Sequence, residues 1–412
     1  MVIFKSTTQC EGSIFQFAFS RRQFGSLLGA GCVSTLISCQ AADTPSTPAI
    51  EAILRDFFES EPLPGGLSAA AVKGEALVWS GGFGYADIDA KVAMTPDHIQ
   101  SIASVSKTVT ATAVMQLWET GAFQLDDDIN QYLPLNIRNP RFPNIPITFR
   151  QLLAHRSSIM DNEAYDNSYT CGDPSVSLKD WIQGYFSSNY DPDEIFHKWS
   201  PGTVNPPESP RSYSNVGYGL LGYLVERITG DFFSDHCQDK IFKPLQMNHT
   251  GWRLSEINQD KHVKLYSELP ENGDELYLAD SDFNRAQSSG DVYPHCLYSF
   301  PNYPDGLVRT SVNDFSRFLR AYMNGGVLEG TRILKKATID MMLSDQHFGR
   351  GLCWDGGSGV WGHDGGDPGV ATYFGFSPEE NLGIIVFFNA GQFSDKTNEM
   401  VLALYEAARQ AP

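Results

Sequence analysis

The sequence carries little positive charge for its length. It has 30 lysine and arginine residues against 49 aspartate and glutamate residues, which gives a formal net charge of −19 at pH 7 over 412 residues. Binding to nucleic acid needs a basic surface that contacts phosphates, so this class of function is disfavoured. An acidic excess of this kind usually serves solubility. We therefore expect no nucleic-acid partner.

Cysteine is sparse in the body of the chain, and the sequence contains neither a low-complexity tract nor an internal repeat. Three of the seven cysteines precede residue 40. The other four are widely separated: Cys171, Cys237, Cys296 and Cys353. This spacing matches no zinc motif, so no metal site is expected. Up to two disulfides are possible outside the cytoplasm, and the sequence does not indicate their pairing.

A hydrophobic run long enough for a comfortable membrane span is missing near the N-terminus, where the residues instead resemble an export signal. Residues 20–24 (Ser-Arg-Arg-Gln-Phe) are similar to a twin-arginine signal, and the apolar stretch 24–38 that follows is short for a membrane helix. Residues 36–39 resemble a bacterial lipoprotein cleavage box, whose cleavage would leave Cys39 as the lipidated N-terminus. A simple Sec-type signal or an uncleaved anchor remains open.

The prediction from these residues is an exported bacterial protein, either periplasmic or anchored to the membrane as a lipoprotein. Residues 1–38 form the export signal in this interpretation, and the polar residues 39–48 form a tether. Membrane contact is expected only through the lipid anchor. The hydrophobic content of 42% and aromatic content of 12% are ample for a large core, and 412 residues can hold two packed units.

Ser104 and Lys107 form the only Ser-x-x-Lys pair in the sequence. Apolar and small residues follow, and Gly121 ends the run, which predicts an amphipathic helix with Ser104 in its first turn. Residues three apart lie on one helix face, so Lys107 can reach the Ser104 hydroxyl. The helix N-terminus also offers partial positive charge to a developing oxyanion. A serine at a helix start is most often only an N-cap, so the pair alone does not establish catalysis.

Two later motifs strengthen the case for catalysis. Tyr213 and Asn215 form a Tyr-x-Asn pair that follows a Ser-Pro-Gly turn and leads into an apolar run typical of a helix. His363 and Gly365 form a His-x-Gly pair within 360–376, whose pattern is strand, glycine-rich turn, strand.

Neither later motif is unique in the sequence. Tyr165 and Tyr322 also begin Tyr-x-Asn patterns, and His347 begins a second His-x-Gly pattern. Tyr322 lies within a helical pattern and is expected in the core, whereas Tyr165 lies in a polar loop and stays the weaker competitor of Tyr213. His347 follows a helical stretch, so His363 is the better candidate.

The order Ser-x-x-Lys, Tyr-x-Asn and His-x-Gly resembles the penicillin-recognising serine hydrolases. These include class C β-lactamases, D-alanyl-D-alanine carboxypeptidases, D-aminopeptidases and β-lactamase-like esterases. The resemblance covers roughly residues 60–405. Residues 152–159 and 305–311 are also similar to structural turns of this family. His155, within the first of these turns, is interpreted as a packing or supporting residue.

The resemblance implies an α+β fold of the β-lactamase/transpeptidase type. Such a fold has a mainly antiparallel sheet flanked by helices in three layers (α/β/α) and an inserted, mostly helical domain. The strand patterns agree, because the two strand-like runs within 67–90 must join strands within 350–390, which makes the middle of the chain an insertion. The predicted units are a split α/β domain (49–120 and 304–412) and a helical domain (121–303) with an irregular insertion at about 253–303.

The resemblance also implies an acyl-serine mechanism. Ser104 is the expected nucleophile, with Lys107 and Tyr213 sharing its proton, and which of these two is the base stays open. Burial can lower a lysine pKa from about 10.4. Asn215 is expected to hydrogen-bond the substrate amide or the lysine. The backbone N–H groups of Ser104 and Gly366 are expected to form the oxyanion hole.

The third motif departs from the β-lactamase pattern in a way that bears on the substrate. His363 and Gly365 are expected to line the substrate site, yet β-lactamases of this kind usually carry Lys-Thr-Gly there. Histidine is mostly neutral near pH 7, so the cation that helps to bind a substrate carboxylate is missing. We therefore expect peptidase or esterase activity ahead of dedicated β-lactamase activity.

The remaining expectations concern partners and alternatives. The substrate is expected to be a small molecule or a peptide, and the reaction is expected to need no metal and no cofactor. A catalytically inactive penicillin- or peptidoglycan-binding protein is one alternative, and an acyltransferase that uses the same site is another. The sequence does not indicate the oligomeric state.

Overall fold

The computed structural model of the protein describes residues 48–60, 64–187, 191–203, 212–270, 276–283, 291–346, 349–357, 359–391 and 394–411. The predicted export signal, the tether up to residue 47, the lipidation candidate Cys39 and the competing His347 lie outside the described residues. The predictions that concern them remain predictions.

The strands come from both ends of the chain. In order they are β1 (Gly66–Lys73), β2 (Ala76–Asp87), β3 (Val92–Ala93), β4 (Gln100–Ser101), β5 (Thr170–Cys171), β6 (Tyr266–Glu268), β7 (Val292–Pro294), β8 (Tyr298–Ser299), β9 (Arg309–Thr310), β10 (Val327–Leu328), β11 (Thr331–Arg332), β12 (Asp355–Gly357), β13 (Val360–Asp367), β14 (Val370–Ser377) and β15 (Leu382–Phe388). A seven-stranded sheet runs in the order β12-β13-β14-β15-β1-β2-β3. All of its neighbouring strands pair antiparallel.

The pairing of β1 with β15 joins the beginning of the described chain to its end. Leu67 lies opposite Phe388, and Lys73 lies opposite Leu382. The first strands therefore complete a sheet whose other strands come some 300 residues later, as the strand patterns predicted. The bounds predicted for the two domains remain a prediction.

Helices surround this sheet. They are α1 (Pro48–Ser60), α2 (Ser106–Glu119), α3 (Phe149–Leu153), α4 (Glu163–Asp166), α5 (Leu178–Tyr185), α6 (Pro192–Ile195), α7 (Asn215–Thr229), α8 (Phe233–Cys237), α9 (Val312–Met323), α10 (Lys336–Met342) and α11 (Asp395–Gln410). The helices between α2 and α9 belong to the segment that separates β2 and β3 from the later strands of the sheet.

The two faces of the sheet belong to two hydrophobic clusters. Ala69 and Ala71 of β1 are buried with side chains of α1 and α11. Ala70 and Val72 of the same strand are buried with side chains of α2, α7 and α9. Successive side chains of a strand point to opposite faces, so β1 contributes to both layers. This arrangement confirms the predicted antiparallel sheet between helices in an α+β fold.

The insertion predicted at about 253–303 contains only short elements in its described part, among them β6, β7 and β8. Cys171 of β5 and Cys296, which precedes β8, form a disulfide across 125 residues of sequence. Cys237 and Cys353 are buried and are not part of a disulfide among the described residues. In the described ranges, no helix combines the length and apolar character needed to cross a membrane.

Candidate active site

Ser104 lies in a tight turn that leads directly into α2. A 3₁₀ turn spans Ala103–Val105, and the α-helix begins at Ser106. Ala103 has φ of 46°, a left-handed conformation that is strained for a residue with a side chain and that concentrates at functional sites. The predicted helix is therefore present and ends at Glu119, but Ser104 lies in the turn just before it.

Three hydrogen bonds hold this turn against the sheet and the β9 segment. The Thr372 hydroxyl of β14 donates to the Ile102 carbonyl at 2.8 Å. The Ile102 N–H donates to the Val308 carbonyl at 2.9 Å, and the Val308 N–H donates to the Ser106 hydroxyl at 3.0 Å. Two segments that follow more than 200 residues later in the chain thereby fix the turn that carries the candidate nucleophile.

Lys107 is fully buried, and three acceptors surround its amine. Its Nζ donates to Ser104 Oγ at 3.0 Å, to Asn215 Oδ1 at 2.7 Å and to the backbone oxygen of Asp305 at 2.8 Å. A lysine ammonium has three N–H donors, which these acceptors share with the phenol of Tyr213. The Asp305 carboxylate lies 3.6 Å from the same nitrogen. Of the two partners foreseen for Asn215, the structure shows the lysine.

The electrostatics favour the charged form of Lys107. Burial by itself lowers the pKa of Lys107, but the neighbouring Tyr213 and Asp305 outweigh it, so that the pKa lies above its ordinary value. The sequence suggested only the lowering effect of burial. Burial raises the pKa of Asp305 to about 6, although the Lys107 ammonium favours its ionised form.

Tyr213 lies beside the same amine. The Lys107 Nζ is 4.9 Å from the centroid of the Tyr213 ring, and the phenol also takes part in a side-chain hydrogen bond with Lys107. The imidazole of His155 stacks on the ring of Tyr213, with the two centroids 4.2 Å apart. His155 Nδ1 accepts the Ser214 N–H at 3.1 Å, which fixes the backbone next to Tyr213.

Asn215 is oriented by the start of α7. The Asp161 carboxylate accepts the N–H groups of Asn215 and Val216, each at 2.9 Å, and the Ser214 hydroxyl at 3.2 Å. A carboxylate at this end of a helix satisfies free N–H groups and interacts favourably with the helix dipole. The predicted apolar helix is present, and Gly230 ends it with φ of 84°.

The third motif lies on β13, next to the Ser104 turn. A Cβ built on Gly365 would be 2.9 Å from the Ser104 nitrogen, whereas one built on Gly366 would meet nothing within 4 Å. Gly366 is exposed, so its backbone lies beside the turn and open to solvent. His363 is two residues before Gly365 and shares its face of the strand. Its ring is only 3% exposed, and Nδ1 lies 2.6 Å from the Asp364 carbonyl oxygen.

The structure thus brings together Ser104, Lys107, Tyr213 and Asn215, and it places the Gly365 backbone against Ser104. The weaker competitor Tyr165 is not isolated from this group, because its hydroxyl donates to Asp305 Oδ2 at 2.9 Å. Tyr322 is 1% exposed in α9, within the core.

Sequence reasoning missed three carboxylates of this region: Asp161, Asp305 and Asp367. Each lies in a loop or at a strand end that carries no recognised catalytic pattern. Asp305 was part of a segment interpreted only as a structural turn. No signal in the sequence marks these residues, because their proximity to Lys107 arises only from the fold.

The comparisons with known proteins identify a family. A family model described as Beta-lactamase matches residues 52–407. Penicillin-binding protein 4 from Amycolatopsis lactamdurans is 28% identical over 316 residues, which are 73% of this chain and 74% of that protein. Protein flp from Staphylococcus aureus (strain MRSA252) is 24% identical over 345 residues, 82% of this chain. The match spans only 62% of the length of that relative.

Solved structures share the fold. D-amino acid amidase from Ochrobactrum anthropi SV3, in complex with L-phenylalanine amide, aligns with a TM-score of 0.68 and 24% identity over 87% of this chain and 97% of that chain. The octameric penicillin-binding protein homologue from Pyrococcus abyssi aligns with a TM-score of 0.63 and 24% identity over 88% of this chain and 76% of that chain. The architecture is that of the β-lactamase/transpeptidase fold.

Proposed function

This chain belongs to the beta-lactamase family, and we propose that it is a serine hydrolase that cleaves an amide or ester bond through an acyl-Ser104 intermediate. The observation that carries the proposal is the 3.0 Å hydrogen bond between Lys107 Nζ and Ser104 Oγ. The bond joins a partly exposed hydroxyl to a fully buried cation. An alcohol becomes a competent nucleophile only with such a partner and a nearby proton acceptor.

Tyr213 is the proposed proton acceptor. Burial lowers the pKa of Lys107, but Tyr213 and Asp305 outweigh it and favour the ammonium form, so we propose that the Ser104 proton passes to Tyr213 rather than to Lys107. An ammonium within 5 Å of the Tyr213 ring favours a negative charge on that phenol over a neutral one. We assign Lys107 to orient Ser104 and to stabilise the Tyr213 oxyanion.

The proposed reaction has two displacement steps. Ser104 Oγ forms a bond to the substrate carbonyl carbon while its proton passes to the Tyr213 oxygen. The bond to the amine or alcohol breaks, and the leaving group departs with that proton. Water then attacks the acyl-serine, its proton returns through Tyr213, and the acid product leaves Ser104 free. The N–H groups of Ser104 and Gly366 are proposed to stabilise the oxyanion in both steps.

Peptidase or esterase activity is proposed ahead of dedicated β-lactamase activity. The support is His363 in place of the permanent cation at the third motif, together with a solved neighbour that is a D-amino acid amidase. Because His363 is only 3% exposed and carries an imidazole, it attracts a substrate carboxylate less strongly than a lysine ammonium would. The substrate proposed is therefore a small amide, ester or peptide, without a metal or cofactor.

The test is turnover of a panel that contains D-amino acid amides, short-chain p-nitrophenyl esters and cephalosporins. We expect hydrolysis of an amide or an ester by the parent protein, and none by Ser104→Ala. A protein that holds penicillin covalently but turns over no member of the panel would be a binding protein instead. Products formed with added amines or alcohols would identify an acyltransferase.

Export is proposed on the N-terminal residues alone. The twin-arginine-like residues 20–24 and the cleavage box ending at Cys39 support a lipid-anchored or periplasmic protein. Cell fractionation of the full chain and of Cys39→Ser tests this: the parent is expected with the membrane, and the variant is expected to be released or to keep its signal. Recovery of both from the cytoplasm would contradict export.

A further inference from the structure

Asp367, at the end of β13, carries a carboxylate into the region of the proposed catalytic group. His363, Gly365 and Asp367 alternate along the strand, so their side chains share one face. That face is the one on which Gly365 meets the Ser104 nitrogen. Asp367 also follows directly after Gly366, whose N–H is the second proposed oxyanion donor. The carboxylate is therefore close to where the scissile carbonyl would lie.

The two carboxylate oxygens have different surroundings. Oδ1 accepts the Tyr169 hydroxyl at 2.7 Å. Oδ2 lies near Gly306, where a built Cβ would be 3.2 Å from Phe300 Cζ, 3.7 Å from Oδ2 and 3.9 Å from the carbonyl carbon of Ala103. Ala103 is the residue before Ser104. One oxygen thus fixes the orientation of the side chain, and the other lies near Gly306, which also borders the residue before Ser104.

Aromatic rings surround this carboxylate. The Tyr169 ring lies 4.4 Å from Phe300, 5.8 Å from Tyr298 and 6.1 Å from Tyr165 between centroids. Tyr169 is partly exposed, so the cluster reaches the protein surface. Ring faces attract cations, most strongly where water is excluded. The carboxylate and the neighbouring ring faces therefore both attract a positively charged group.

Asp367 has no described cation in direct contact, although Lys107 and Arg309 act on its charge from a longer distance. Among the residues that the structure describes, no lysine, arginine or histidine forms a salt bridge with Asp367 within 4.0 Å. Asp305 differs, because its oxygens accept from Tyr165 and Asn302 and its carboxylate faces Lys107 at 3.6 Å. Asp305 is also 2% exposed, whereas Asp367 is partly exposed. Of the two, Asp367 is the more exposed.

We propose that Asp367 binds an ammonium group next to the scissile carbonyl, so that the enzyme prefers acyl donors with a free amine over the same donors with that amine acylated. This inference rests on the proposed acyl-Ser104 chemistry and names the substrate class for it. The same carboxylate repels substrates that carry a carboxylate near the reacting carbon. This repulsion adds to the weaker carboxylate binding expected from His363, which stands where β-lactamases usually have a lysine.

The test compares matched substrates. Ethyl esters and p-nitroanilides of D- and L-alanine are prepared with a free or an acetylated amine, and kcat/KM is measured at pH 7.5. The free-amine form of the accepted enantiomer is expected to be favoured by about 10- to 100-fold, which corresponds to one hydrogen bond to a charged group. Asp367→Asn should bring this ratio within about threefold of one. The control Asp340→Asn removes an equal charge from an exposed helical pair and should leave the ratio unchanged.

A second readout keeps the outcomes separate. A fluorophosphonate probe labels the Ser104 hydroxyl, and protection by alaninamide is compared with protection by N-acetylalaninamide. If the probe labels the protein but both amides protect equally, the role of Asp367 is overturned while the proposed hydrolase stands. The same follows if the kcat/KM ratio of free-amine to acetylated substrate is unchanged in Asp367→Asn. Absence of both labelling and turnover overturns the proposed hydrolase, and the inference with it. Stronger protection by alaninamide in the parent but not in Asp367→Asn supports the inference even where hydrolysis is slow.

Discussion

The imidazole of His155 lies face to face with the phenol of Tyr213, with centroids 4.2 Å apart and planes inclined by 21°. His155 is 2% exposed and has φ of 53°, a conformation that few residue types adopt readily. Its Nδ1 accepts the N–H of Ser214. The residue interpreted from the sequence as packing is therefore the support on which the proposed proton acceptor rests.

Substitution of His155 should reduce turnover without unfolding the protein. Asparagine tolerates the left-handed backbone and can accept the Ser214 N–H, but it lacks the ring. Since such ring contacts contribute about 0.5–1.5 kcal/mol, His155→Asn is expected to lower kcat by up to about tenfold. Steady-state kinetics and thermal unfolding check this. A variant with parental kcat would show that the stacking does not position Tyr213.

Removal of the buried cation should destabilise the protein through Asp305. Lys107→Met keeps most of the side-chain volume but leaves the Asp305 carboxylate buried without its ion pair, at an expected cost of about 3–5 kcal/mol. The double variant Lys107→Met with Asp305→Asn removes both charges and should recover most of that loss. Urea unfolding at pH 7.5 measures both. Equal stability of the single and double variants would contradict a direct electrostatic coupling.

Asp367 should make the protein less stable as the pH rises. Burial raises the pKa of Asp367 to about 7, so between about pH 4 and 7 the folded state keeps a proton that the unfolded state has released. The contribution of Asp367 to the free energy of unfolding is therefore fully present below about pH 4 and is lost as the pH rises through 7. The charged or titratable groups that act on Asp367 are Tyr169, Asp305, Lys107 and Arg309.

Asp367→Asn provides the measurement. At pH 8 it should unfold at higher urea than the parent, by on the order of 2–4 kcal/mol, because the carboxylate no longer has to ionise in a buried setting. At pH 4 the two proteins should be alike. A variant that is less stable than the parent at pH 8 would show that the ionised carboxylate is a structural element rather than a costly feature kept for binding.

Neighbouring glycines of the third motif should respond in opposite ways to the same change. A Cβ at Gly365 would lie 2.6 Å from Thr372 Oγ1 and 2.7 Å from the Ile102 carbonyl oxygen, so Gly365→Ala must displace the Ser104 turn. Gly366→Ala adds its methyl group to open space. We expect a clear fall in Tm for the first, typical of overpacking by about 1–3 kcal/mol, and little change for the second. Equal Tm values would show that β13 is farther from the turn.

The local parts of the site could be predicted from the sequence because they depend on short spacings. Ser104 and Lys107 meet because they are three residues apart at the start of α2, and α7 and β13 follow from apolar patterns. The pairing of β1 with β15 could also be inferred, since the early strands needed partners and the later segment supplied them.

The rest depends on contacts between distant segments, which no local pattern encodes. Asp305 meets Lys107 across 198 residues, and Tyr169 meets Asp367 across the same separation. His155 reaches the backbone of Ser214 across 59 residues. The raised pKa of Lys107 follows from such neighbours, whereas the sequence alone suggested only the lowering effect of burial.

The identity of the nucleophile is the claim on which the account depends most. Intact-mass spectrometry of the protein mixed with the acyl donors above, followed by peptide mapping, tests it directly. The account predicts that at least one donor, or the fluorophosphonate probe, adds its mass to the peptide that contains Ser104, and that Ser104→Ala takes up none. An adduct on another residue, or an equal adduct on Ser104→Ala, would contradict it.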